Sequence, residues 1–422
     1  MSDKILRMIE GLIPRRVYRF FQPVYHYLLA LAGAIIYRFP ARKIFVVGVT
    51  GTKGKTTTVE LINAILEETG HKTAVISTLR FKIGEGEERN MFKMTMPGRF
   101  FVQKMLRRAV LAKCDYAIIE MTSEGARFFR HKFTYPNALI FTNLSPEHIE
   151  SHGSFENYLN AKLSIAKELE CSSKKKQVII VNKDDKYADK FLNFRIPEKR
   201  VFSLADVKPF TLNENGIDFT FGGEKFHSRL SGEFNLYNIL AAITFARTQN
   251  IDLGTIRRAL EKLSGIRGRL ERVEAGQDFL VIVDYAHTAD SMEKVYRVFG
   301  NKRKICVFGA TGGGRDKWKR PEMGKIADTY CDEIILTDDD SYDENPKEIA
   351  RAIAEGIKNK TPTILIDRRE AIREGLKCAK TGDAVIITGK GTDPFLMGPN
   401  GTKQPWDDAT VTKEELQKLL DS

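Results

Sequence analysis

Lys43-Ile-Phe-Val-Val-Gly-Val-Thr-Gly-Thr-Lys-Gly-Lys-Thr-Thr-Thr58 decides the fold of this chain: an apolar strand runs directly into a glycine-rich loop and then into a helix. Gly51 and Gly54 let the backbone turn tightly, so that successive N–H groups along Thr52 and Lys53 point inward at phosphate oxygens. Lys55 reaches the terminal phosphates, Thr56 offers a hydroxyl to Mg²⁺, and Thr57 follows in the first turn. The helix Thr56–Thr69 adds its positive end to the same place. The spacing departs from the common phosphate-binding loop, which needs glycine where Val49 stands; Gly48 lies one residue too early. The stretch reads as a nucleoside triphosphate site opening an α/β domain.

Outward from the loop, strands at Ile44–Val49, Thr73–Ser77, Asp115–Glu120, Ala138–Thr142 and Gln177–Val181 alternate with helical segments such as Arg99–Lys113 and Leu236–Gln249. That alternation predicts a mostly parallel sheet. Past the turn-rich Ser264-Gly-Ile-Arg-Gly-Arg269, strands at Phe279–Val283, Lys304–Phe308, Glu333–Leu336, Thr363–Ile366 and Ala384–Thr388 begin a second alternating series. The expected organisation is a basic, apolar N-terminal helical segment (1–42), a P-loop ATP-binding central domain (43–264) and a Rossmann-like C-terminal domain (265–422). Gly309-Ala-Thr-Gly-Gly-Gly314 lacks the spacing of a dinucleotide fingerprint, so no nicotinamide cofactor is expected.

At 422 residues, 42% hydrophobic and 29% charged, the composition is that of a globular protein without repeats. Cys114, Cys171, Cys306, Cys331 and Cys378 lie far apart with no Cys-x-x-Cys pair, which predicts neither a zinc ribbon nor a disulfide framework and fits a reducing cytoplasm. The net charge of +12 is explained by anionic nucleotide substrates, since no nucleic-acid-binding module is present. Residues 1–43 carry eight Lys and Arg against two acids, a net +6. They flank the apolar run Phe20–Tyr37, which is too interrupted by Gln22, Pro23 and His26 to span a bilayer. It reads either as a helix packed on the next domain or on a second copy, or as a peripheral anchor on the inner face of the membrane formed by residues 1–40.

Further candidates lie at strand ends and on one helix. Glu120 closes the strand Tyr116-Ala-Ile-Ile-Glu120, where a carboxylate in the ligand crevice is suited to Mg²⁺. Thr95-Met-Pro97, Glu120-Met-Thr-Ser-Glu-Gly125, Phe141-Thr-Asn-Leu-Ser-Pro-Glu-His148 with Tyr158 and Lys162, Phe234-Asn-Leu-Tyr-Asn238, Gly268-Arg-Leu-Glu271, Val283-Asp-Tyr-Ala-His287 and Gly312-Gly-Gly-Arg-Asp-Lys-Trp-Lys-Arg-Pro321 follow in order. Together with the loop, this series resembles the Mur ligases, which add amino acids to the peptidoglycan precursor, and their folylpolyglutamate synthetase relatives. The resemblance covers residues 43–410 and is nearest the subgroup that adds the third amino acid to UDP-N-acetylmuramoyl-L-Ala-D-Glu.

The resemblance implies roles residue by residue. Glu120 and His148 would be ligands at two Mg²⁺ sites. Lys162, fourteen residues after His148, would react with CO₂ to give a carbamate, turning a cation into an anionic oxygen donor. Asn235 and Asn238 would contact ATP, Arg269 its phosphates, and Asp284, Tyr285 and His287 the ribose and base side. Thr95, Ser123 and Arg130 would touch the muramoyl-peptide acceptor, and Arg315, Asp316 and Lys319 would lie on the substrate side. Departures stand beside these matches. Glu147 replaces an Asp, Met96 a second hydroxyl and Phe128 a Gln, and some forty residues precede the loop where the family has a uridine-binding domain. In Thr337-Asp-Asp-Asp-Ser-Tyr342, Tyr342 replaces the Arg that clamps the distal carboxylate of diaminopimelate, and a phenol does not reproduce a guanidinium fork. Asp338, Asp339, Asp340, Asp343 and Glu344 are expected to greet an ammonium instead, with Gly389 and Asp393 alongside, favouring L-lysine. The implied activity is ATP-dependent amide formation through an acyl phosphate. The rival readings are a folylpolyglutamate synthetase-like or polymer-forming γ-glutamyl ligase, and an inactive ATP-binding scaffold at the membrane.

Overall fold

A computed structural model describes residues 15–147, 149–314 and 317–421. Two compact units emerge: one holds residues up to Ser203 together with Asn238–Asp252, the other Leu204–Tyr237 with the chain from Leu253 onward. The first is built on an eight-stranded sheet. Its strands are β1 (Phe45–Thr50), β2 (Thr73–Ile76), β3 (Arg80–Ile83), β4 (Gly86–Arg89), β5 (Tyr116–Glu120), β6 (Ala138–Phe141), β7 (Val178–Asn182) and β8 (Glu198–Phe202), in the order β4-β3-β2-β5-β1-β6-β7-β8. All pairs from β2 to β8 are parallel, and only the β2-β3-β4 edge is antiparallel. The central strands are buried on both faces, as parallel strands covered by helices must be, which is why they read as unbroken apolar runs.

The topology places the site. β1 leads to β2 on one side of itself, whereas β5 leads across to β6 on the other, so the carboxyl ends of β1 and β5 flank a switch point where ligands bind. Register sets Val49 beside Glu120, so the strand-end carboxylate stands next to the start of the loop.

The second unit holds a six-stranded sheet in the order β12-β13-β17-β14-β15-β16. Its strands are β12 (Glu271–Arg272), β13 (Leu280–Asp284), β14 (Lys304–Phe308), β15 (Glu333–Leu336), β16 (Thr363–Ile364) and β17 (Ala384–Thr388), parallel except for β12. It also holds an antiparallel sheet of β9 (Phe210–Asn213), β10 (Gly216–Phe221) and β11 (Glu224–Ser228), and a β18–β19 hairpin (Phe395–Met397, Lys403–Pro405). The α/β class with mostly parallel sheets is thus as read from the sequence. The three-stranded sheet was not foreseen, although Glu214-Asn-Gly216 and Gly222-Gly223 mark its turns and Ile217, Phe219 and Phe226 point to one buried side.

One expectation is corrected. Cys306 on β14 and Cys331, which caps the helix Lys319–Tyr330, are joined by a disulfide with Cα atoms 6.0 Å apart. Their separation of 25 residues hides a spatial adjacency that the helical crossover from β14 to β15 creates. A second feature invisible in the sequence is the fully buried pair Arg368–Asp408, bidentate at 2.8 and 2.7 Å. Asp408 also receives Trp406 Nε1 at 2.7 Å and the Gly391 amide at 3.1 Å, and Arg368 donates to the carbonyls of Asp338 and Thr388. Through these bonds the pair ties the loop after β17 to the loop after β15.

The N-terminal helix Arg15–Ile36 contains Pro23 and packs on the helix Arg99–Leu111, meeting it at Gly33, where an added Cβ would lie 3.6 Å from Arg99 O. Its inner side holds His26, Ala30 and Ala34. Its outer side leaves Val24, Leu28 and Ile35 in one exposed stripe at helical spacing, with Tyr25 and Ile36 beside them. Among the described residues no helix is long and apolar enough to cross a membrane.

Candidate functional site

The loop 51–54 is held open by its glycines. Gly51 has φ +149°, and a Cβ there would fall 2.0 Å from Thr142 Oγ1; Gly54 has φ +81°, and a Cβ there would fall 2.1 Å from Asn238 Oδ1. Only glycine fits either place. The loop is braced by the strand end of β6: Thr52 N donates to Asn143 O at 2.8 Å, Lys53 N to Asn143 Oδ1 at 2.9 Å, and Thr142 Oγ1 to Lys53 O at 2.7 Å. Thr52 Oγ1 lies 2.8 Å from the Tyr158 hydroxyl and accepts the Ser145 amide at 3.0 Å. Asn143, Tyr158 and Ser145 thus shape the loop, a supporting role the sequence did not reveal.

Lys55 opens the helix Lys55–Glu68 and donates through Nζ to Thr52 O at 2.8 Å. Thr56 Oγ1 donates to Glu120 Oε2 at 3.0 Å, and that oxygen also receives the Thr78 amide and hydroxyl, each at 3.0 Å. Glu120 is 2% exposed. A buried carboxylate beside a threonine hydroxyl at a helix N-terminus is an oxygen donor set that fits Mg²⁺, which takes one or two protein oxygens and fills the rest with phosphate and water. Among the described residues no cluster of three or more His, Cys, Asp or Glu is poised for a metal. His148 lies outside the described residues. Thr57 is buried in the same helix turn, and Thr58 Oγ1 reaches Asn238 Oδ1 at 3.4 Å.

Lys162 projects from the helix Phe155–Glu170, which starts on the Ser154 cap. It is 1% exposed, donates to Gly51 O at 2.6 Å and sits 4.8 Å from the Tyr158 ring centroid. Burial, reinforced by the Lys55 charge, holds its ammonium well below the usual lysine range. A neutral amine is the form that attacks CO₂, so the environment suits the carbamate. Of the residues the resemblance assigns to the acceptor, Thr95 Oγ1 lies 2.8 Å from Thr78 Oγ1, Ser123 Oγ lies 3.2 Å from His152 Nε2, and Arg130 donates to Met96 O at 2.5 Å. Met96 is buried against Gly125 instead of presenting a hydroxyl.

The remaining candidates lie in the second unit. Asn235, on the same helix as Asn238, donates to Ser231 O at 2.8 Å. The Arg269 guanidinium stacks 4.6 Å from the Tyr285 ring, Tyr285 meets the His287 ring at 5.0 Å, and Asp284 accepts the Leu270 and Ala286 amides at 2.7 Å. Burial raises the Asp284 carboxyl. Lys319 begins its helix beside Trp318, and Arg315 and Asp316 lie outside the described residues.

The acidic run differs from expectation. Lys390, 1% exposed, binds Asp340 at 2.8 Å, Asp393 at 3.1 Å and Asp339 at 3.8 Å. Glu344 pairs with Arg320 at 3.0 Å, and Asp343 accepts the Asn400 amide at 2.7 Å. Burial and Asp339 push the Asp338 carboxyl up to about 7. Asp340, Asp343, Glu344 and Asp393 are engaged within the chain, where the sequence reading set them against an incoming ammonium, whereas Asp338 Oδ1 is buried without a partner among the described residues. Gly389, at φ +113°, leaves no room for a Cβ beside Asp339, and Tyr342 adopts φ +51°.

A parallel sheet whose first strand feeds a phosphate loop, with a buried strand-end carboxylate against the loop's threonine, defines a P-loop nucleotide-binding enzyme. Comparison with known proteins carries this further. Residues 49–246 match the Mur ligase middle domain and residues 268–391 the Mur ligase glutamate ligase domain. The UDP-N-acetylmuramoyl-L-alanyl-D-glutamate–2,6-diaminopimelate ligase of Syntrophomonas wolfei is 38% identical over 404 residues, covering 92% of this chain and 81% of that one. The UDP-N-acetylmuramyl-tripeptide synthetase of a Roseiflexus species is 36% identical over 93% of this chain and 82% of its own. A solved diaminopimelate ligase structure superposes with a TM-score of 0.62 at 27% identity, covering 90% of this chain and 79% of that one. The chain belongs to the Mur ligase family. It is an ATP-dependent acid–amino-acid ligase, of a family that uses Mg²⁺.

Proposed function

We propose that the chain adds the third amino acid to a UDP-linked muramoyl-dipeptide in the cytoplasm, with a domain division at residues 42/43 and 264/265. The observation that carries the reading is the contact of Thr56 with Glu120 beside the buried Lys162, set in a chain that matches tripeptide-forming ligases along nine-tenths of its length. An oxygen of the acceptor carboxylate attacks the γ-phosphorus of ATP, the bond to ADP breaks, and an acyl phosphate results. The amino nitrogen then attacks the acyl carbon, phosphate leaves, and the nitrogen loses its proton. Lys55 and the loop amides balance charge on the transferred phosphoryl group. Thr56 and Glu120 would hold one Mg²⁺, which would supply further charge neutralisation for the phosphate oxygens. Carbamylated Lys162, with His148, would hold the second and orient the acyl phosphate. Arg269, Asp284, Tyr285, His287, Asn235 and Asn238 serve the nucleotide.

The incoming group is a diamino acid. With Asp340 and Asp393 bound to Lys390, lysine's ammonium would have to compete with a buried lysine for them. The support for L-lysine therefore falls, and the names of the relatives favour 2,6-diaminopimelate. Phosphate release measured over a matrix of acceptors and amino acids tests the reading: ATP turnover is expected only with the muramoyl-dipeptide, with higher kcat/KM for meso-diaminopimelate than for L-lysine. Turnover on a folyl or polyglutamyl acceptor would instead select the rival ligase reading, and no turnover on any acceptor the scaffold.

The exposed stripe Val24, Leu28, Ile35 and Ile36 favours a peripheral membrane contact as well, because residues 15–43 carry six Arg and Lys and no acid. The protein is expected to sediment with anionic liposomes at low salt and to be released as salt screens its charges. Failure to bind at low salt leaves the stripe to a second copy or another protein.

A further inference from the structure

Three guanidinium groups gather at Phe128, two over its ring and one on its backbone carbonyl, in the place where the family resemblance expected a glutamine. Arg127 and Arg130 lie 5.6 and 5.3 Å from its centroid, and Arg99 donates Nε to the Phe128 carbonyl at 2.9 Å. His26, from the N-terminal helix, meets the same ring edge-on at 5.1 Å and is hydrogen-bonded through Nδ1 to Arg99. Among the described residues no carboxylate forms an ion pair with any of the three. Their other contacts are neutral: Arg127 donates to Ser151 O, and Arg130 to Met96 O at 2.5 Å and toward Met94 Sδ at 3.7 Å. Glu124, exposed, is the nearby acid whose field reaches Arg130.

Such a group is under electrostatic strain. Burial and Arg130 hold Arg99 below the usual arginine range, and burial does the same to Arg130. Burial and all three arginines push the His26 imidazole down to about 4, so it is neutral at physiological pH. Two buried polar atoms lack any partner, Arg130 Nε and His26 Nε2, and His26 is 8% exposed. Buried polar groups are ordinarily matched, and clustered arginines without carboxylates are matched by phosphoryl oxygens, which accept the planar fork.

The cluster also adjoins the acceptor side. Arg130 holds Met96 beside Thr95, and Arg127 holds Ser151 beside His152, which reaches Ser123. We propose that Arg99, Arg127, Arg130 and His26 form the receptor for the diphosphate group of the acceptor, with the N-terminal helix supplying one wall. That its occupant is the acceptor rests on the ligase reading above; that it is a diphosphate rests on three guanidinium groups gathered at one residue without a carboxylate partner among the described residues, two on the Phe128 ring and one on its carbonyl. A nucleotide-linked and a polyprenyl-linked muramoyl peptide share this group.

The test uses the full chain with Mg²⁺ and a non-hydrolysable ATP analogue saturating the loop, titrated with inorganic pyrophosphate by calorimetry. Wild type is expected to bind, and the Arg99→Gln/Arg127→Gln double variant to bind at least tenfold more weakly. Arg127→Gln alone, which alters only an exposed side chain, is expected to lose at least threefold and guards against misfolding of the double variant. In ligation, KM for the acceptor is expected to rise at least tenfold while KM for ATP holds. Running a UDP-linked acceptor beside a polyprenyl-diphosphate-linked one in neutral vesicles identifies the source, because the rise appears with the carrier that the site recognises. Pyrophosphate binding lost in the variants, in a protein that ligates no muramoyl acceptor, would uphold the anion site and sink the acceptor assignment. No pyrophosphate binding by wild type, or affinities within twofold in both variants, overturns the proposal.

Discussion

Lys55→Ala is expected to lower kcat by on the order of 10²–10³, because a fixed donor aimed at developing phosphoryl charge contributes that much in a site shielded from water. The helix should persist: Lys55 is its first residue, and the following turn is anchored by Thr56 on Glu120 and Thr58 on Asn238. Thermal melting therefore serves as the control, and single-turnover phosphate release as the measurement. Arginine at this position is not a substitute, since a planar fork cannot follow the short path that Nζ takes past Thr52 O. A variant with more than a tenth of wild-type kcat would show that the loop amides alone carry the phosphoryl charge.

Lys162→Ala is expected to abolish ligation, with partial recovery on adding short-chain carboxylates, which can stand in for the two carbamate oxygens. The sign of the pH dependence follows from burial. A lysine held below its ordinary range is neutral over more of the working pH interval, and only the neutral amine takes up CO₂. Wild-type activity should accordingly fall when dissolved CO₂ is depleted and when the pH drops below the lowered value, whereas the carboxylate-rescued variant should lose the CO₂ dependence. Near-normal turnover by the alanine variant, or rescue equal in wild type and variant, would remove the carbamate from the mechanism. Loss of the Gly51 carbonyl contact is the structural effect to separate from this, and Lys162→Gln, which keeps a donor there, is expected to be equally inactive but equally well folded.

The loop and strand series were legible because their signals are local. A phosphate loop needs glycine, lysine and threonine at set intervals along one short stretch, and a parallel strand covered on both faces needs only a continuous apolar run, so Gly51 to Thr57, Glu120 and the alternating elements could be read without knowing what lay next to them. Tertiary structure alone decided what depends on partners distant in sequence. Asp340 and Glu344 of the 338–344 run looked available to an ammonium until the fold placed Lys390 and Arg320 against them. Cys306 and Cys331 looked solitary until a crossover joined them. His26, Arg99, Arg127 and Arg130 come from three separate stretches and form a cluster only when the N-terminal helix docks. Charge balance is a sum over neighbours in space, falling off over a few ångströms regardless of chain position. A single strand of letters states which charges exist; only the folded chain states which of them are already matched.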